Sequence, residues 1–157
     1  MFITVHATVG AIIGEQTNNI WVALVLGFLS HFVFDAIPHG DQNLLDKEPT
    51  KKSKAAKFFK FFVLDALVLS AAFSLYFNFH LFDNWLPVLA GAFGAILPDG
   101  ISGLNLILPR SPAWMRWVYK KNRDMHYIFN GFTIQFPAGL AVQFITMIGL
   151  IAVILLM

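Results

Sequence analysis

The 157-residue chain alternates long apolar stretches with short polar ones. Four stretches, about 20–38, 58–80, 86–108 and 126–156, are long enough to cross a hydrocarbon layer as helices, which takes roughly 20 apolar residues at about 1.5 Å each. The last has the length to tilt or to break near Pro137. A fifth stretch, 2–14, is too short for an untilted crossing and is expected as a short crossing or a re-entrant helix. In "GAFGAILPDGISG", residues 91–103, Pro98, Asp99 and Gly100 interrupt apolar sequence. Irregular backbone at membrane depth is tolerated where it lines a cavity, so a broken helix is expected near Asp99. The pattern predicts an all-α polytopic transmembrane helix bundle of four to five spans, forming one integral-membrane domain over 1–157.

Composition strengthens that picture. The chain is 57% hydrophobic and only 13% charged, against roughly 25% charged for soluble domains, and its mean hydropathy is +0.67. All 11 basic residues fall in two clusters, Lys47, Lys51, Lys52, Lys54, Lys57 and Lys60, then Arg110, Arg116, Lys120, Lys121 and Arg123. Basic residues gather in cytoplasmic loops, so the loops about 39–57 and 109–125 are expected on the cytoplasmic side of a multi-pass protein of the inner (plasma) membrane. The N-terminus lacks a basic n-region and reads as part of the membrane domain, not as a cleaved signal peptide. The expected partner is the lipid bilayer. Nucleic acid is not, because no basic face interleaved with stacking aromatics occurs on a soluble fold. Oligomeric state has no signature here.

On this topology His6, His31, Asp35, His39, Asp65, Asp99 and His126 all fall near one depth, at the cytoplasmic end, although only lysines and arginines set the orientation. A charged group in hydrocarbon costs at least a few kcal/mol, so such residues face the bundle interior and pair or bind something. His31 and Asp35 are four residues apart, as are Asp35 and His39, so the three share one helix face if the helix continues that far. His126 and Asn130 repeat the spacing, while His6, Gly10 and Gly14 put a histidine beside a close-packing surface. With no cysteine present, any metal must be held by nitrogen and oxygen. His6, His31, Asp35, His39, Asp99 and His126 are therefore the candidate ligands of a divalent metal, zinc first, with manganese or iron as alternatives. A metal that keeps an open position acidifies its bound water into a nucleophile, and an unliganded carboxylate beside it serves as general base. Asp41 and Asp99 are the carboxylates expected in that catalytic role.

"GFLSHFVFDAIPHGD", residues 27–41, resembles the GxxSHxxxDxxxP segment of the YdjM-like family of membrane-bound metal-dependent hydrolases. "AILPDG" resembles that family's LLPDxDH segment, and the early His6 followed by small residues is similar as well. Carried onto His6, His31, Asp35 and Asp99, the resemblance implies a metal site. Three features depart from the family: the SHxxxD segment precedes PD, the family's HRGxTHS segment has only a partial echo in "DMHYIFN", and Ile101 and Ser102 stand where the family has its second Asp and its His, ligands that His39 and Asp41 would then supply. The expected function is metal-dependent hydrolysis of a lipid-linked or phosphorylated substrate at the cytoplasmic face. Two rivals use the same residues: a metal-ion or proton transporter or channel, and a structural membrane protein in which the metal only staples helices.

Overall fold

The computed structural model describes residues 1–40, 44, 45, 47–128 and 134–157, which form six helices and no strand. They are α1 (Ile3–Thr17), α2 (Ile20–Asp35), α3 (Lys51–Asn78), α4 (Trp85–Ile107), α5 (Ala113–His126) and α6 (Phe136–Leu156). Local chemistry sets several of the starts. The Asn19 side chain accepts from the backbone N–H groups of Trp21 and Val22 at the head of α2, and Asn84 accepts from Leu86 N–H at the head of α4. Thr50 and Ser53 form a reciprocal capping box at the head of α3. Each satisfies N–H groups that a helix start otherwise leaves without a partner.

Helix α1 lies at the centre, with every residue from Ile3 to Ala11 buried. It packs on α4 and α2, which also pack on each other, while α3 and α6 flank it and α5 lies across α4 and α2. Glycine makes this core possible. A Cβ on Gly10 or on Gly27 would overlap the Gly91 carbonyl, so α1 and α2 both approach α4 at distances only glycine permits. The outer faces are the reverse of a water-soluble surface: Leu67 on α3 is 65% exposed and Ile145 on α6 is 70% exposed, among many large apolar neighbours. Helices α3, α4 and α6 are each long and apolar enough to cross a membrane. Such apolar helices suggest a membrane protein, since an exterior of this kind calls for an apolar solvent.

Several expected boundaries move. Helix α2 stops at Asp35 after 16 residues and is too short to count with the three longer spans, because Pro38 disfavours helix for the residue before it. His39 consequently does not share the helix face of His31 and Asp35. The break expected near Asp99 is absent: Pro98 sits inside a continuous α4. Proline there removes one N–H, and the packing of Gly94 against the backbone at Leu24 of α2 holds the helix through it. The basic segment 109–125 is not a loop but contains α5, whose Met115, Val118 and Asn122 face inward while Arg116, Lys120 and Lys121 face out. His126 therefore closes α5 and does not open the last span, which begins only at Phe136, with Pro137 in its first turn where its missing N–H is not needed.

The glycine contacts give a direct test of the core. Gly91→Leu should lower the detergent-solubilised melting midpoint by the equivalent of about 3 kcal/mol or more, since overpacking against backbone has no flexible neighbour to absorb it. Gly149→Ala, where nothing lies within 4 Å, should leave the midpoint unchanged or slightly raised. Equal effects from the two would contradict this packing.

Candidate metal centre

Four helices and one connecting segment deliver the polar side chains to one end of the bundle. His6 lies one turn into α1, His31 and Asp35 close α2, His39 follows it, Asp99 comes from α4 and His126 ends α5. All six expected ligands meet. Nε2 of His6 is 3.0 Å from Asp35 Oδ1, and Nε2 of His39 is 3.9 Å from the same oxygen. On the other oxygen, Asp35 Oδ2, Nε2 of His31 stands at 3.1 Å and Nε2 of His126 at 3.4 Å. Asp99 Oδ1 is 3.7 Å from His31 Nε2. The set is deeply buried, with His6, His31, Asp35 and His39 each at most 1% exposed.

Hydrogen bonding fixes which nitrogens carry lone pairs. The Nδ1–H of His31 donates to the Ala95 carbonyl at 2.8 Å, and the Nδ1–H of His39 donates to the Ile37 carbonyl at 2.6 Å. This is the arrangement by which a backbone carbonyl presents Nε2 of a metal-ligating histidine as a lone pair. Around His31 that lone pair meets only oxygens. The Ser102 hydroxyl donates to the Pro98 carbonyl at 2.8 Å and is left to accept from Asn122 Nδ2 at 3.2 Å, while the same amide nitrogen donates to Asp99 Oδ1 at 3.0 Å. The amide oxygen of Asn122 is thereby turned to His31 Nε2, 3.3 Å away. Nε2 of His31 faces Asp35, Asp99 and Asn122 oxygens at once, and Asp35 Oδ2 is buried without a hydrogen bond among the described residues. A cation or a second proton on the ring is what satisfies this group.

The donor set fits a divalent ion. Ligands about 2.0 to 2.2 Å from a tetrahedral centre stand roughly 3.3 to 3.6 Å from one another, and the separations above scatter around that range. Two triads, His6, His31 and Asp99, then Asp35, His39 and His126, each place ligand atoms within 4.8 Å of one another. Imidazole and carboxylate without thiolate suit zinc, manganese or iron, and the geometry does not select among them. The Met1 amino group also reaches the cluster, 2.7 Å from Asp35 Oδ1 and 2.6 Å from His39 Nε2.

Sequence reasoning passed over the neutral residues that hold the charged ones. Asn122 and Ser102 orient Asp99 and His31. Gln143, one of two polar side chains of α6 with Thr146, accepts from Phe2 N–H at 2.7 Å and donates to the His39 carbonyl at 3.3 Å. Thr4 donates from its hydroxyl to Asp65 Oδ1 at 2.5 Å, so Asp65 ties α3 to α1 and pairs with no histidine or basic side chain among the described residues. A polar residue in an apolar helix was the available signal for Gln143; Asn122, set among basic residues, had none. Asp41 and Asn130 lie outside the described residues. A scan against protein-family models, a search of curated proteins and a search of solved structures all return no match. The likeness to the YdjM-like family therefore stands on its motifs alone.

Asn122 offers the test of the supporting shell. Asn122→Ala should weaken zinc binding by about 10- to 100-fold, the usual cost of losing such a partner, with unchanged helicity. Isothermal titration of the purified protein measures it, and wild-type affinity in the variant would show that the amide does not position the cluster.

Proposed function

We propose that the chain is a metal-dependent hydrolase of the membrane, acting on a lipid-linked phosphoester at the cytoplasmic face. One observation carries this reading: the cluster opens into a cavity of about 170 Å³ that is lined by both apolar and polar side chains. Phe58, Phe61 and Phe62 of α3 line it together with Asp99, Asn122, Arg123 and His126. An amphiphile suits such a lining, its chain against the phenylalanines and its phosphate toward the cluster.

The histidines and Asp35 would hold the divalent ion, which when bound would supply a Lewis acid to polarise the phosphoester and activate water. The remaining work belongs to side chains. Arg123 borders the cavity and its guanidinium suits the paired oxygens of a phosphate. Asp99, 16% exposed and held by Asn122, borders the same cavity and is the carboxylate placed to take the proton from the attacking water. The far end of the bundle favours an enzyme over a transporter. There Ala11, Tyr76, Phe82, Val88 and Ile154 pack into an apolar cluster, with the Tyr76 hydroxyl 3.3 Å from Thr8 Oγ1 at its edge.

Orientation follows from charge. Lys51 Nζ donates to the Leu108 carbonyl at 2.7 Å, joining the start of α3 to the end of α4, so both basic clusters lie at the end that holds the histidines. The preference of basic residues for the cytoplasmic side assigns the site to that side.

Two measurements test the reading. Zinc-loaded protein in mixed micelles should release the headgroup from a phosphoester on an acyl chain and not from the same phosphoester without one. Arg123→Gln should raise KM by about 10-fold or more, the loss expected for one charge-assisted hydrogen bond, with zinc content unchanged. Zinc-loaded protein inert toward every phosphoester tried would contradict the function. For orientation, cysteines introduced at the exposed Lys52 and Lys121 should react with an impermeant maleimide in inverted vesicles and not in intact cells. The reverse pattern would overturn the sidedness.

A further inference from the structure

We infer that the cluster is built for two divalent ions held side by side, with the carboxylate of Asp35 spanning them. This extends the metal-dependent reading above and rests on it. The rings of His6 and His31 are stacked, with centroids 4.0 Å apart and planes 27° apart, and their Nε2 atoms both address the Asp35 carboxylate. Two imidazoles on one ion cannot take this arrangement. Ligands on one ion approach from directions roughly 90° or more apart, and each ring centre stands about 3.2 Å from the ion, so the centres lie at least about 4.5 Å apart with their axes converging. Stacked rings that point the same way aim at two neighbouring positions.

The two oxygens of Asp35 divide the ligands accordingly. His6 at 3.0 Å and His39 at 3.9 Å are the imidazoles on Oδ1. His31 at 3.1 Å and His126 at 3.4 Å are those on Oδ2, with the Asp99 carboxylate, the proposed base, 3.7 Å from His31 beside that half. Each half holds two imidazoles and an oxygen of the shared carboxylate, and in the Oδ1 half the ion would take the place of the Met1 ammonium, which stands 2.7 Å from Oδ1 and 2.6 Å from His39 Nε2. The 4.0 Å ring spacing agrees with the about 3.5 to 4 Å between ions in two-metal phosphoester sites, where one ion steadies the attacking oxygen and the other the leaving oxygen. Asp99 and His126 border the cavity beside the Oδ2 half, and Met1 borders it beside the Oδ1 half.

Metal stoichiometry decides the matter. The chain has five histidines, and His80 alone stands outside the cluster, so His80→Ala removes the imidazole background without touching the site. That variant, saturated with zinc in detergent and freed of loose metal, should carry two zinc ions per chain by mass spectrometry. Loaded with manganese alone, it should give the electron paramagnetic resonance spectrum of an exchange-coupled pair. One ion per chain, or two without exchange coupling, would overturn the paired site and leave mononuclear hydrolysis standing. Failure to bind either metal would overturn both.

Discussion

The burial of one carboxylate governs this fold. Asp35 is 1% exposed at the end of α2, and an ionised carboxylate removed from water costs several kcal/mol unless opposing charge and hydrogen bonding offset it. The other helices of the site converge on that requirement. His6 arrives from α1, His126 from the end of α5, and His39 by the turn after α2. The approach is close because Gly10, Gly27 and Gly91 let three helices meet backbone to backbone one or more turns away from the cluster. The polar end and the glycine seam are thus parts of one solution: the seam brings α1, α2 and α4 near enough for their polar residues to share a centre.

That division gives the bundle two unlike ends. At one, imidazoles, carboxylates and amides fill the core and border a cavity; at the other, Tyr76, Phe82, Val88 and Ile154 pack without charge. At the first end the phenylalanines of α3 line the same cavity as Arg123 and Asp99, the mixed lining that the proposed amphiphile calls for. Under the proposed function, chemistry and access lie at the same place.

The convergence of His6, His31, Asp35, His39, Asp99 and His126 was legible because charge in an apolar segment is expensive and must be gathered, and because their common depth follows from apolar lengths alone. The helical bundle was legible for the same reason. Local rules gave the rest less well. Four-residue spacing suggested that His39 continues the face of Asp35, yet the helix ends first and His39 reaches the cluster from a turn. Pro98 looked like a break, but a proline inside a helix packed on both α1 and α2 costs one hydrogen bond and does not end it. Segment 109–125 looked like a loop because its charges dominate, although Met115, Val118 and Asn122 follow helical spacing. The neutral partners Thr4, Ser102 and Asn122 left no trace in the sequence, since a hydroxyl or amide is common in loops and helices alike.

The Met1 ammonium faces Asp35 Oδ1, and the proposed divalent metal is the charge that answers Asp35 Oδ2 and the lone pair of His31. X-ray absorption at the zinc edge on the zinc-equilibrated protein tests it most directly. The expected spectrum has a first shell of nitrogen and oxygen at about 2.0 to 2.2 Å, with the outer-shell scattering of several imidazoles, and this is lost in Asp35→Asn. A spectrum of hydrated zinc alone, indistinguishable between the protein and that variant, would contradict it.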